Sequence, residues 1–529
     1  MRPVDSVLMS VLNQSFAAIA EEMYRNLIRS AYSTIVRESR DASTAIFSPE
    51  GPLIAQGQHT IPMLLNAFPP LMAGMRERGL LEDLKSGDAL ISNDAYAGGQ
   101  HLDDVVLVIP VFFGGGLVGY AGSLAHQLDL GAASPGINPR ATEVYQEGVI
   151  IPPMRIELER DLGPNGVLAQ VLSRNIRVPE HTMGDLRAQI AAIRTGERRL
   201  QELCARYGPE SVTGTMAGLL DYTDTMMRQV IREKPDGRYH GEEWMDDDGY
   251  TGHEFKIAVT IEIKGDGVTV DCTGTDAQAL GPVNAPLGST LSAIQIALKS
   301  VLLPLEVPAN EGCNRSMDIV VPEGTLLNPR FPAAVSARMG ACFKLFDAIL
   351  QALTPIMEER LIASSYSSVA AVALSKRKPG GQYLYREALG GGYGAGQGYD
   401  GADGVAITLT NTANTPVEFT ELTHPYFMIE GYSVRRDSGG VGQFHGGCGV
   451  EKDYRILGDG VRFAAYSDHH RFGPRGMSGG GPGARAEFLL ERADRTRELP
   501  PLVIEELKAG DLLRVRTAGG GGYGTPRNT

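Results

Sequence analysis

Apolar and polar residues recur along this chain with a spacing that changes from region to region. Over residues 5–35, "MRPVDSVLMSVLNQSFAAIAEEMYRNLIRS" and its continuation keep a helical period, and Asp5 is placed to cap that helix. Strand-like alternation follows in "TAIFSPEGPLIAQ", folded about a Pro-Glu-Gly turn. Residues 183–208, "MGDLRAQIAAIRTGERRLQELCARYG", return to helix, with Leu186, Ile190, Ile193 and Leu200 on one face and a glycine at the end. A second helix is predicted over 211–233. The Asp-rich "GRYHGEEWMDDDGYTG" after it reads as a boundary.

From residue 255 the period is two, and "FKIAVTIEIKGDGVTVDCTGTD" predicts a hairpin turning at Gly265-Asp266-Gly267. Helices are expected at 288–303 and 339–359. Beyond 400 the pattern is one of short strands between glycine-rich turns: "GVAITLTNT", "FMIEGYSVRRD", "VRFAAYSD", "ARAEFLLER" and "DLLRVRTAGGGG". The fold class expected is mixed α/β (α+β) and multidomain. Its parts are an α/β domain at 1–208, a helical connector at 209–250, a mixed α/β domain at 251–400 and a β-rich, glycine-rich domain at 401–529.

The stretch "GGQHLDDVVLVIPVFFGGGLVGYAGSLAHQLD" carries no charge from Val105 to Leu124, about the length that spans a bilayer as helix. Pro110 and the run Gly114, Gly115, Gly116 interrupt it, and its valines and aromatics favour strand. A buried hairpin of "DVVLVIPVFF" and "LVGYAGSLAH" is therefore expected. Symmetric pairing about Gly115 sets Asp104 opposite His126, on one face, with Cβ atoms about 4.5–5.5 Å apart. His101, three positions before Asp104, can fold over the same end. A slip of one residue would put Asp104 and His126 on opposite faces. Two imidazoles and a carboxylate suit one divalent ion, Mn, Zn or Fe, with positions left for water or substrate.

Other candidates have plainer readings beside them. Asp41, in "VRESRDAST", is placed for acid–base work or for a salt-bridge cluster with Arg37 and Arg40. Glu143 and Glu147, in "ATEVYQEG", are spaced i,i+4 and face a pocket or, more simply, form a solvated helical face. His469 and His470, in "SDHHRFGPRG", offer a second metal site, against which adjacent side chains usually diverge. "GGGYGAGQGYDGADG" (390–404) reads as turns, since no G-x-x-x-x-G-K-[ST] motif occurs in the chain.

Composition narrows the classes. The net charge of −14 leaves no electrostatic footprint for nucleic acid or an anionic membrane. The five cysteines are odd in number and lack a C-x-x-C, which argues against a disulfide framework and a zinc knuckle. The first residues do not read as a signal peptide, so the cytoplasm is expected. Sixty-five glycines in 529 residues are about 12%, against about 7% in ordinary domains, and point to close backbone approaches.

With those residues in view, the sequence resembles the hydantoinase B/oxoprolinase family over nearly its whole length. The segments that carry the likeness include "NDAYAGGQHLDDV", "AHQLDLG", "ATEVYQEGVIIPP", "GPVNAPLGST", "PEGTLLNPRFPAAVSA", "TNTANTPVE", "RRDSGGVGQFHGGCGV" and "TAGGGGYGTP". The resemblance implies that His101, Asp104 and His126 stand where the family carries metal ligands, and that Asp41 matches an acidic position with an acid–base role. It implies hydrolysis of a cyclic amide (a hydantoin, 5-oxoproline or a related lactam) activated by phosphorylation in a partner. That partner is a hydantoinase A/oxoprolinase-type subunit that binds ATP and Mg, in a hetero-oligomer expected to hold two copies of each chain. The chain length looks like that of a stand-alone B-type subunit. Relatives that carboxylate acetone or acetophenone offer an alternative chemistry. A non-haem iron oxygenase and a non-catalytic scaffold are the remaining readings.

Overall fold

The computed structural model describes residues 6–493 and 495–526; the expected Asp5 cap lies outside them. Helix α1 (Ser6–Ser30) is followed by the short α2 (Thr34–Arg37), whose first turn is capped by the Ser33 hydroxyl accepting from Val36 N–H at 3.3 Å. Six strands come next: β1 (Ala42–Phe47), β2 (Leu53–Gln56), β3 (Asp88–Ser92), β4 (Asp104–Phe113), β5 (Gly116–His126) and β6 (Met154–Glu157). They form one antiparallel sheet in the order β2-β1-β5-β4-β3-β6.

The expected hairpin is β4–β5, at the centre of that sheet. Val105, Leu107 and Ile109 enter the core under α1 and α3 (Pro179–Tyr207), while Val106 and Val108 enter the core on the opposite face. Cover on both faces is why this segment is apolar at every position and matches a membrane span in length. Gly114 (φ +59°) and Gly115 (φ +83°) make the two-residue turn, a left-handed conformation that glycine adopts without strain. Val118 is the extra residue of a bulge between the Phe112–Leu117 and Val111–Gly119 pairs. Beyond the bulge the ladder runs in step to its end, where Asp104 pairs with His126.

Helix α4 (Pro209–Arg232) leads into β7 (Gly237–Met245). The Asp-rich stretch read as a boundary thus holds a strand: it pairs along its length with β8 (Phe255–Lys264) and buries Gly241, Glu243 and Met245 in alternation. β8 turns at Gly265–Asp266 into β9 (Gly267–Asp271), and β10 (Met317–Val320) runs parallel to β9. Helices α5 (Leu287–Leu302) and α6 (Met339–Met357) pack together, with α6 across β7 and β8. Among the described residues one helix, Met339–Arg360, is long and apolar enough to cross a membrane, and 72% of its apolar window is buried inside the protein.

The rest of the chain is a two-sheet sandwich. One sheet joins the hairpin β11 (Ala371–Lys378) and β12 (Gly381–Ala388) to β15 (Val461–Tyr466) and β18 (Leu502–Leu507). The other has β13 (Phe427–Val434), β14 (Val450–Ile456), β16 (Glu487–Arg492), β17 (Arg495–Leu499) and β19 (Leu512–Arg516). Leu374, Tyr385 and Phe463 of the first sheet meet Phe427, Tyr454 and Phe488 of the second in one core. "GVAITLTNT", expected as a strand, is irregular apart from an isolated bridge at Val405.

The glycine excess has its main use at one edge of this sandwich. A Cβ added at Gly519 would lie 1.8 Å from Ser438 O, at Gly520 2.1 Å from Tyr393 O, and at Gly521 2.0 Å from Arg475 O. Segments near 392, 440, 480 and 520 therefore cross backbone against backbone, joined by bonds such as Gly520 N–H to Gly447 O and Gly521 N–H to Ser364 O.

Candidate metal centre

The open end of β4–β5 points into a buried cavity, and three distant parts of the chain close it. His101, Asp104 and His126 come from the hairpin, Arg338 from the start of α6, Arg386 from β12 and Tyr466 from the end of β15. His101 is brought there by a tight loop: Gly98 takes φ +95°, and a Cβ at Gly288 of α5 would lie 2.6 Å from the carbonyls of Gly98 and Gly99. Gln100 Oε1 accepts from the Ser289 hydroxyl at 2.9 Å, and Asp104 N–H donates to His101 O at 3.0 Å.

His101 Nε2 lies 3.1 Å from His126 Nδ1, and each of these nitrogens is 3.2 Å from an Asp104 oxygen. Atoms so spaced form one face of a coordination shell with bonds of about 2.0–2.2 Å. A second carboxylate stands on the far side of both rings. Asp103 Oδ2 is 3.9 Å from His101 Nδ1 and 3.7 Å from His126 Nε2, so that His101, Asp103 and His126 also offer ligand atoms within 4.8 Å of one another. Asp104 makes the tighter set. Arg338 Nη2 donates to Asp104 at 2.9 Å and Arg386 Nη1 to Asp103 at 2.7 Å.

The electrostatics suit a cation. Burial, reinforced by the Arg338 charge, lowers His101 to about 4, which keeps its lone pairs free at neutral pH. Burial alone would raise Asp104, yet His101, hydrogen bonds from both imidazoles and Arg338 hold it well below the usual carboxylate range. A neutral His101 and an ionised Asp104 are in the protonation states a metal requires.

Asp41 lines the same cavity. Its carbonyl accepts from His126 N–H at 3.1 Å and its Oδ2 is 4.0 Å from His126 Nδ1. The alternative salt-bridge cluster is not formed: Arg37 pairs with Glu38 at 2.8 Å and lies over the Phe419 ring. Burial pushes Asp41 up to about 6, with His126 opposing and Asp104 adding to the rise. An acid poised there exchanges protons near neutrality.

Glu143 and Glu147 do not share a helical face. Only Val144–Gln146 makes a short 3₁₀ turn; Glu143 is exposed, and Glu147 is buried with Oε1 accepting from Val335 N–H at 2.9 Å and Ser336 N–H at 2.8 Å. His469 and His470 do diverge. His469 Nε2 is 2.7 Å from Lys344 Nζ, and the His470 ring packs on Phe488. Of the 390–404 glycines, Gly390, Gly392, Gly394 and Gly401 lie against neighbouring backbone, and all five cysteines are free. Arg338, Arg386, Tyr466 and Asp103 escape a reading of the sequence. Asp103 alone left a trace there, as the neighbour of Asp104.

The chain belongs to the hydantoinase B/oxoprolinase family, whose model matches residues 5–526. It is 32% identical over 99% of its length to the B-type subunit of a putative D-/L-hydantoinase of Pseudomonas sp. (strain NS671), of which it covers 91%. It also superposes on the crystal structure of the ATP-dependent caprolactamase from Pseudomonas jessenii with a TM-score of 0.90, at 27% identity, covering 99% of this chain and 92% of that one. A nucleotide-free acetone carboxylase shares the fold, with a TM-score of 0.88 at 18% identity over 99% of this chain and 76% of that one.

Proposed function

We propose that this chain is the metal-bearing subunit of an ATP-dependent cyclic-amide hydrolase that opens a hydantoin, 5-oxoproline or a related lactam. The observation that carries the reading is the buried face of His101 Nε2, His126 Nδ1 and Asp104, with spacings of 3.1–3.2 Å. These residues would hold one divalent ion, Mn, Zn or Fe, which supplies Lewis acidity. Asp103 and Arg386 then fix the rings from behind, as outer partners of ligating histidines do.

An amide in an unstrained ring resists attack because its resonance is lost and its nitrogen leaves poorly. Phosphorylation of the carbonyl oxygen by an ATP-binding hydantoinase A-type partner removes that resonance. Water then adds to the former carbonyl carbon, the tetrahedral species breaks the ring C–N bond to leave an acyl phosphate, and a second water displaces phosphate with its oxygen to give the carboxylate. Asp41 takes the proton of the attacking water and returns one to the leaving nitrogen. Two relatives support a two-component enzyme, one the B-type component of a hydantoinase and the other the beta component of a caprolactamase.

The test is co-expression with the partner encoded beside this chain. Lactams, hydantoins and ketones are screened for substrate-dependent ADP release with and without bicarbonate. Ring opening of a cyclic amide, abolished by His101→Ala, is the expected result. Turnover of a ketone alone, dependent on bicarbonate, would transfer the chain to the carboxylase branch, which the acetone carboxylase fold favours as second reading.

A further inference from the structure

Beside the imidazole pair, the cavity wall is cationic and has donors to spare. Arg386 is 6% exposed and lines the cavity, yet among the described residues it makes one hydrogen bond, from Nη1 to Asp103. Its Nη2 and Nε have no acceptor among those residues. Arg338, 4% exposed, spends Nη2 on Asp104 and Nε on the Ser289 hydroxyl at 3.0 Å, which leaves Nη1. The Tyr466 hydroxyl, from the strand beside β11, has no hydrogen-bond partner among the described residues and feels both guanidinium charges. These donors keep accessible surface within the cavity, where a ligand or water can meet them.

The charge balance points the same way. Asp103 is matched by Arg386, Asp104 by Arg338, and Glu387 by Lys452, whose Nζ is 2.7 Å and 2.9 Å from its two oxygens. Asp41 is the one cavity carboxylate without a cation of its own among the described residues, so a divalent ion at the imidazole pair makes the cavity net positive. A neutral ring would leave that charge uncompensated in a dry site, where charges interact strongly.

We infer that the cavity contains an oxyanion subsite in which Arg386, flanked by Arg338 and Tyr466, binds a carboxylate or phosphoryl oxygen carried in by the substrate. The inference rests on reading this cavity as the hydrolytic site. A guanidinium with a free edge is the side chain best matched to either group, because it presents two parallel donors to two oxygens. Fixed next to Asp103, it holds the substrate at a set distance from Asp41 and the imidazoles.

The complex with its ATP-binding partner is assayed with 5-oxoproline and with 5-oxoprolinamide, which share a ring and differ by one carboxylate charge. If the oxyanion is the substrate carboxylate, Arg386→Gln raises KM for 5-oxoproline by about ten- to a hundredfold more than it raises KM for the amide, the loss expected for a charged hydrogen bond. If it is the phosphoryl group, both rings lose ring opening by that factor while ADP release continues. Arg386→Lys keeps the charge beside Asp103 and lacks the second donor edge, so it reproduces the defect in a chain that retains its ion pair. Coupled turnover of both rings by both variants, within twofold of wild type, overturns the subsite. Calorimetric titration of inorganic phosphate and acetate into the full chain separates this inference from the hydrolase reading. Binding weakened at least tenfold by either variant supports the subsite even if no cyclic amide is opened. Wild-type binding too weak to detect, or unchanged in both variants, rejects it even if one is.

Discussion

Replacing Glu147 by glutamine removes a buried acid while keeping its shape and its acceptor. Oε1 takes the N–H groups of Val335 and Ser336, two residues before the arginine that holds Asp104, and Oε2 is buried without a partner. Burial drives this carboxyl up to about 8 against its ordinary 4.5, opposed by the Ser336 and Val335 hydrogen bonds and assisted by Asp103. The folded chain therefore keeps a proton that the unfolded chain releases. Stability is unaffected by this group below about pH 4.5, falls as pH rises toward 8, and carries the full penalty above it. At 1.36 kcal/mol per pH unit the penalty is about 5 kcal/mol for a fully desolvated acid. Glu147→Gln lacks it. Near pH 5 the two proteins should have urea midpoints that agree closely, and at pH 8.5 the variant should be the more stable by several kcal/mol. Hydrogen–deuterium exchange of residues 333–338, compared at matched pH, reads the same effect locally if that segment opens before the rest. Parallel pH curves, or a variant weaker than wild type at pH 8.5, would refute the reasoning.

Metal analysis of purified protein should find about one divalent ion per wild-type chain and a large loss in His126→Ala; equal stoichiometric metal in both would remove the assigned ligand set. Lys452→Met should cost about 3–5 kcal/mol by chemical denaturation, because it strands Glu387 where both side chains are 0% exposed, and adding Glu387→Leu should recover most of it. Gly520→Ala would set a Cβ 2.1 Å from Tyr393 O and should lower the unfolding temperature sharply or prevent soluble expression, whereas Gly214→Ala in α4, with nothing within 4 Å of its added Cβ and no positive φ, should have a small effect.

The centre of the fold was legible because its signal is local. An uncharged run broken by Pro110 and three glycines favours a covered hairpin over a membrane helix, and symmetric pairing about Gly115 sets Asp104 against His126, as the structure has it. The bulge at Val118 offsets the difference between a turn centred on Gly115 and the actual Gly114–Gly115 turn. What escaped depends on long-range assembly. Arg338 and Arg386 reach the cavity from 234 and 283 residues beyond the aspartates they pair with, and a lone arginine in a helix start or strand carries no pattern of its own. Glu147 was misread because i,i+4 spacing implies a face only where the backbone is helical. The hairpin β11–β12 was overlooked although Pro379 and Gly380 mark its turn between alternating runs. "GVAITLTNT" has strand propensity, yet its tail supplies Thr410 and Thr412 to the cavity wall instead of a ladder.

The crossing of four glycine segments at the sandwich edge sets a limit on how this chain can drift. An ordinary core absorbs an enlarged residue by trimming a neighbour, since volume can be traded between side chains. Here the neighbours of Gly519, Gly520 and Gly521 are carbonyl groups, which no substitution can shorten. A mutation at such a site has no second-site suppressor within the junction. The segments near 392, 440, 480 and 520 are thus bound to one another as a set, and a chimera between relatives should exchange all four together or none.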